Sequence, residues 1–151
     1  MATRARVSIL TLAAVLAACS SGEDDAATGG GLPAGGLYAT IAVGSRTFHA
    51  SITHPDGMAQ ARAVWDGTSN ANIPAGRLDC SAVSWNEPWH WHLEPETVRF
   101  AEVTMELCDG DPSYVEANCA TFGGGSYCPW AAEMTALRDC STDPACPAVP
   151  R

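Results

Sequence analysis

Residues 37–53 read LYATIAVGSRTFHASIT. The first seven alternate in period two, Gly44-Ser45 makes a turn, and residues 46–53 alternate again through Phe48, Ala50 and Ile52. Two such runs around a short glycine-bearing turn predict a β-hairpin. The next stretch sets the class. Thr53-His54-Pro55-Asp56 has the form of a helix start, with a capping threonine, an early proline and a first-turn acid. Met58, Ala61 and Trp65 fall on one helical face, and Gly67 is the stop. Residues 78–84 and 89–93 are further strand candidates, separated by a loop carrying Asn86 and Pro88. Residues 98–108 read as a longer strand, with Ala101, Val103, Met105 and Leu107 on its apolar face. A helix would also group Glu102 with Glu106, four residues apart. Asp111-Pro112-Ser113 opens a second short helix bearing Val115, Cys119 and Phe122 on one side, and glycines 123–125 end it. A hairpin first, then strands mixed with two helices, predicts an α+β domain with a small, mainly antiparallel sheet. That domain is expected over residues 37–140, and the proline-rich tail, 141–151, shows no periodicity of its own.

The N-terminal end reads as an address. Arg4 and Arg6 precede an apolar run over residues 7–16, which is shorter than the roughly 20 residues a transmembrane helix needs. The run ends in Leu16-Ala17-Ala18-Cys19, which resembles the lipobox of bacterial lipoproteins. Residues 1–18 are then a signal peptide and Cys19 a lipidated N-terminus, whose acyl chains hold the protein durably on a membrane. Ser20 follows the cysteine where a retention-type aspartate would otherwise stand, which points to the outer membrane or cell surface. Residues 19–36 are poor in apolar bulk and read as a flexible tether.

Charge and cysteines narrow the class further. The chain carries 17 acids against 8 arginines, with no lysine and a formal charge of −9; two of the arginines lie in the leader. Such a surface repels nucleic acid and anionic headgroups, and offers no lysine for a phosphate loop or Schiff base. Setting Cys19 aside leaves Cys80, Cys108, Cys119, Cys128, Cys140 and Cys146, an even set that reads as three disulfides in an exported chain. Cys140 and Cys146 are close enough in sequence to pair locally. No C-x₂-C pair supports zinc.

The chemistry-bearing stretch is residues 88–96, PWHWHLEPE. As a strand it points Trp89, Trp91 and Leu93 one way and His90, His92 and Glu94 the other. His90, His92 and Glu96 match the H-x-H-x₃-E spacing of cupin metal sites, with Glu94 as the alternative acid, so a divalent metal is one reading. Pro95 interrupts the strand between those ligands, and the flanking glycines are missing. A second reading is a tryptophan-lined groove for a glycan, peptide or protein, using Trp85, Trp89, Trp130 and His92. The third has the tryptophans building the core. Catalytic motifs are absent: Gly124-Gly125-Ser126-Tyr127-Cys128 lacks the closing glycine of G-x-S-x-G, and Asp109-Gly110-Asp111 lacks the remaining positions of a calcium loop. His49 and His54 stand alone.

Taken in order, Trp89-His90-Trp91-His92-Leu93-Glu94-Pro95, Glu106-Leu107-Cys108-Asp109 and Cys128-Pro129-Trp130 carry a resemblance. The chain resembles the N-terminal domain of the cyclic-AMP-inducible prespore protein, and related small secreted bacterial proteins sometimes labelled calmodulin-binding. The likeness spans about residues 37–137. It implies a small secreted α+β domain of unsettled molecular function, and a disulfide between Cys108 and Cys128. His90 departs from the family pattern, and the other four cysteines are additions to it. The calmodulin label gains nothing from the residues, because calmodulin targets are basic amphipathic helices. The expectation is therefore a lipid-anchored, disulfide-stapled binding module without a catalytic site or cofactor. A metal-dependent enzyme and an inhibitor-like scaffold presenting the Cys140–Cys146 loop are the alternatives.

Overall fold

The computed structural model describes Leu32 and residues 35–151. The leader, Cys19 and nearly all of the tether lie outside the described residues. The hairpin forms as read: β1 (Leu37–Val43) pairs antiparallel with β2 (Arg46–Ile52), with Leu37 opposite Ile52. The helix α1 (Pro55–Trp65) comes next, but its cap is His54 and not Thr53. The His54 Nδ1 accepts from the Asp56 N–H at 3.2 Å, while the Thr53 hydroxyl donates to Glu96 Oε1 at 2.5 Å. The first turn of α1 lies hard against the chain near residue 98. A Cβ on Gly57 would sit 2.3 Å from the Val98 carbonyl oxygen, so only glycine fits.

The middle of the chain differs from expectation. The strand read at 78–84 is instead β3 (Ile73–Asp79), and the one read at 89–93 is only β4 (His92–Leu93). Strand β3 accommodates Pro74 and Gly76 because its neighbours are short. They are β4, β5 (Arg99–Ala101) and β6 (Ser126–Tyr127), all antiparallel to it. The long strand read over 98–108 stops at Ala101, which pairs with Ile73, the first residue of β3. Beyond it no backbone remains to pair with, so the chain leaves the sheet. Val103, Met105 and Leu107 are consequently 81%, 67% and 70% exposed rather than core. The second helix, α2 (Pro112–Asn118), starts as read, capped by Asp111, but it ends at Asn118. Cys119 and Phe122, expected on its face, lie in a 3-10 segment over Cys119–Gly124 in which Phe122 is not helical.

Two elements escaped the sequence reading. Strand β7 (Ala132–Asp139) adds to β1, giving a first sheet in the order β2-β1-β7. The tail then folds back over the β7 edge. The Asp139 N–H donates to the Pro147 carbonyl and the Val149 N–H to the Leu137 carbonyl, both at 2.9 Å. The Trp65 indole donates to the Val149 carbonyl at 3.0 Å, and the Arg151 guanidinium lies 4.2 Å over the Trp65 ring. This strap shields an edge that would otherwise invite pairing.

Side chains of both sheets and the segments between them meet in one main core. Phe48, Trp91 and Tyr127 pack with ring centroids 5.3–5.5 Å apart, among Ile41, Leu93, Val98, Val115 and Leu137, all essentially fully buried. Disulfides join Cys80 to Cys119, Cys108 to Cys128 and Cys140 to Cys146. The first ties the residue after β3 to the end of α2, the second fixes the 106–108 turn to β6, and the third closes the strap loop. The molecule is thus a disulfide-bonded α+β fold, and its disulfides place it in an oxidising, extracytoplasmic compartment. Among the described residues no helix is long and apolar enough to cross a membrane.

Asp79, Asp111 and Asp139 each accept the N–H and hydroxyl of the serine two residues on. These bonds hold all three carboxyls below their usual range. For Asp139 the Ser141 hydroxyl contributes most, then Arg62 at 2.7 Å, and together they bring it to about 2. A depressed folded-state value gives stability that is full above the ordinary 3.8 and lost as pH falls through about 2. Thermal melts of wild type and Arg62→Gln across that interval test this. The variant should lose less stability on acidification than wild type, and equal slopes would refute the assignment.

Candidate binding groove

The tryptophan stretch is assembled around Asn86, which is fully buried in a 3-10 turn over Ser84–Asn86. Its Oδ1 accepts from the His49 N–H on the outer edge of β2, and its Nδ2 donates to the Trp91 carbonyl, each at 2.7 Å. The Trp89 indole donates to the Thr47 carbonyl on the same edge at 2.8 Å. The Tyr38 hydroxyl donates to the Trp85 carbonyl at 2.7 Å, and burial pushes that phenol up to about 12. Residues 85–91 are thus a lid on the free edge of β2. Trp89 and Trp91 are buried, and Trp91 Nε1 has no hydrogen-bond partner among the described residues.

The proposed metal ligands are turned to other work. His92 is buried, its ring edge-on to Trp85 at 5.5 Å, and its Nδ1 donates to the Ser81 carbonyl at 3.0 Å. His90 is on the surface, its Nδ1 2.7 Å from Glu116 Oε1 while its backbone N–H donates to Oε2 of the same carboxylate. Burial raises the Glu116 carboxyl, but these two bonds outweigh it and the net shift is downward. Glu96 takes the Thr53 hydroxyl, and Glu94 takes Arg77. Among the described residues no three histidine, cysteine or acidic side chains converge as a metal site. The alternation that grouped His90 with His92 fails because the regular strand is only two residues long.

The proposed tryptophan groove is not assembled either. Trp85 packs on Tyr38 and His92 and Trp89 packs on Trp91, whereas Trp130 is 42% exposed and is held elsewhere. Its indole donates to the Thr104 hydroxyl at 2.6 Å, and its backbone N–H donates to Asp109. Trp130 therefore braces the 102–108 segment that carries the exposed Val103, Met105 and Leu107. Inside that ridge lies a cleft of about 650 Å³, within the range of roughly 300–1,000 Å³ typical of ligand sites. Its lining is mostly apolar and includes Ala75, Met105, the Cys108–Cys128 bridge, Arg77 and Arg99.

Met105 thus belongs to both ridge and cleft, joining them into one surface. Sequence reasoning missed this site because alternation predicts a buried face only while a strand continues, and this one ends at Ala101. The acids interleaved at Glu102 and Glu106 were the available signal, since they keep such a segment soluble.

The family model described as the BP-74 N-terminal domain matches residues 37–141. No curated protein and no solved structure matches the chain.

Replacing Asn86 with Ala leaves the buried Trp91 carbonyl and the half-buried His49 N–H without their partner. Each such loss costs about 1–3 kcal/mol. Urea denaturation should show Asn86→Ala destabilised by at least about 2 kcal/mol. A change within error would show that the lid does not depend on this amide.

Proposed function

The chain belongs to the BP-74 N-terminal domain family, and on that footing we propose that it is a lipid-anchored, extracytoplasmic binding module without a catalytic site of its own. One observation carries the reading: Met105 lines the cleft while itself largely exposed, and Val103 and Leu107, two residues to either side of it in sequence, are exposed too. Single exposed apolar residues are ordinary, but three so close in sequence, one of them lining a mostly apolar cleft, mark a contact surface. Trp130, beside them, presents an aromatic face suited to a peptide or glycan. A metal-dependent reaction has no comparable support, because the residues suggested for it are engaged elsewhere. The finer kinship, to the cyclic-AMP-inducible prespore proteins, rests on the ordered Trp89–Pro95, Glu106–Asp109 and Cys128–Trp130 blocks and belongs to this proposal.

The case for the anchor is Leu16-Ala17-Ala18-Cys19 and the acidic, glycine-rich residues after it. Acyl chains supply membrane affinity that the acidic domain surface would not. The tether then lets the module reach partners beyond the membrane surface.

Titrating the domain with extended apolar peptides should shift tryptophan emission, and Trp130→Phe should remove most of the shift. The combined Val103→Ser, Met105→Ser and Leu107→Ser variant should abolish it while leaving stability within about 0.5 kcal/mol of wild type, since these side chains are exposed. Emission unmoved by peptides and by cell-wall glycans alike would refute the reading. For the anchor, Cys19→Ser should move the protein from the membrane fraction to the soluble one. Unchanged fractionation would refute lipidation.

A further inference from the structure

The charge of the cleft is the reverse of the charge of the chain. The sequence carries a formal −9, yet the lining includes Arg77 and Arg99 and no aspartate or glutamate. Arg77 is already shared with Glu94, whose Oε2 lies 2.6 Å from Nη2 and 2.8 Å from Nε. Arg99 differs. Its Nη1 donates to the carbonyls of Val98 and Glu96, at 2.8 and 3.1 Å, and it forms no ion pair with a carboxylate among the described residues. Those two bonds fix the guanidinium against its own backbone and leave the rest of its donor fork for a ligand. A positioned cation without a counter-ion, in a molecule rich in acids, is a charge awaiting its complement.

We infer that the cleft and its ridge take an acidic peptide segment, with a carboxylate on Arg99 and neighbouring apolar side chains against Met105, Val103 and Leu107. This rests on the groove reading above and adds the chemistry of the occupant. A peptide suits the surface better than a compact metabolite. Met105 lines the cleft, and Val103 and Leu107, two residues away on either side in sequence, are exposed as well, so an extended chain can meet more of this segment than a compact molecule held in the cleft. Thr104 and Ser126 also line the cleft and supply hydroxyls for a peptide backbone. The Thr104 hydroxyl already accepts the Trp130 indole N–H, so engagement there would be felt by that ring.

The test uses a bead library of pentapeptides randomised over Leu, Val, Ser, Glu, Gln and Lys, panned with wild type, Arg99→Gln and the triple-serine ridge variant. Wild type should enrich peptides pairing Leu or Val with Glu, by about tenfold over their Gln counterparts, as expected for a charge-assisted bond. Arg99→Gln should keep the apolar enrichment and lose the preference for Glu over Gln. The ridge variant should lose enrichment altogether. If Arg99→Gln does not melt cooperatively, repeating the wild-type panning in about 0.5 M salt replaces it, and the Glu preference should shrink there. Apolar enrichment without any preference for Glu overturns the carboxylate inference and leaves the groove reading intact. No enrichment by wild type, with the ridge variant indistinguishable from it, overturns the groove reading itself. Binding of oleate with no peptide enriched would replace the peptide by a fatty acid and overturn the inference.

Discussion

The fold depends on one buried amide. Asn86 is wholly enclosed in the interior, and it bonds a strand edge on one side and a loop carbonyl on the other. Without it, β2 would present an unpaired edge and residues 85–91 would have no fixed height above the core. An amide is suited to this because one end accepts and the other donates, so it substitutes for a missing strand at a single position. Trp89 extends the cover by donating to the Thr47 carbonyl two residues away. Trp91 is then pressed onto Phe48 and Tyr127, and its indole N–H, without a partner among the described residues, is tolerated for the packing gained. The histidine of the edge is affected too: burial lowers His49, whose ring stacks on Tyr38 at 5.1 Å.

The disulfides act where the core cannot. Strands β4, β5 and β6 are two or three residues long, too short to hold a sheet by ladder bonds alone. Cross-links in such a domain lower the entropy of the unfolded chain by several kcal/mol in the loop-closure view. The Cys108–Cys128 bridge has a further consequence, because it joins the base of the 102–108 segment to β6 at the wall of the cleft. The ridge is therefore a bare apolar segment held at its foot, not a free loop. Its order does not require that the apolar side chains be buried.

Legibility in the sequence tracks the length of the elements. The hairpin and both helices could be read because seven-residue strands and capped helices repeat their pattern often enough to be recognised. Residues 89–93 and 98–108 misled for a common reason. Alternation fixes the side to which a residue points only while the strand continues, and here the strands end at Leu93 and Ala101. Strand β7 was open to the same reading through Ala132, Met134 and Leu137, but the register shift between Thr40 and Ile41 on its partner breaks its period. The strap could not have been found, since its bonds run through backbone carbonyls of Pro147 and Val149 that any residue provides. The candidate site was half visible. Trp130 was named, but as a companion of Trp85 and Trp89, with which it shares no surface.

The two conspicuous histidines are engaged within the fold, whereas an inconspicuous arginine carries the proposed recognition chemistry. His92 is spent on a carbonyl and a tryptophan, and His90 on Glu116, so each has a structural partner that accounts for its place. Arg99 and Met105 belong to no motif. The proposed contact surface depends on where three short strands and one bridge leave them, at the wall of the cleft. The charges of Arg62 and Arg77 are answered within the fold by Asp139 and Glu94. Arg99 is held instead by neutral carbonyls, which fix its position without cancelling its charge. A positioned charge with no ion pair among the described residues, beside exposed apolar side chains, suits the recognition surface we propose: the charge would select the partner and the apolar contacts retain it.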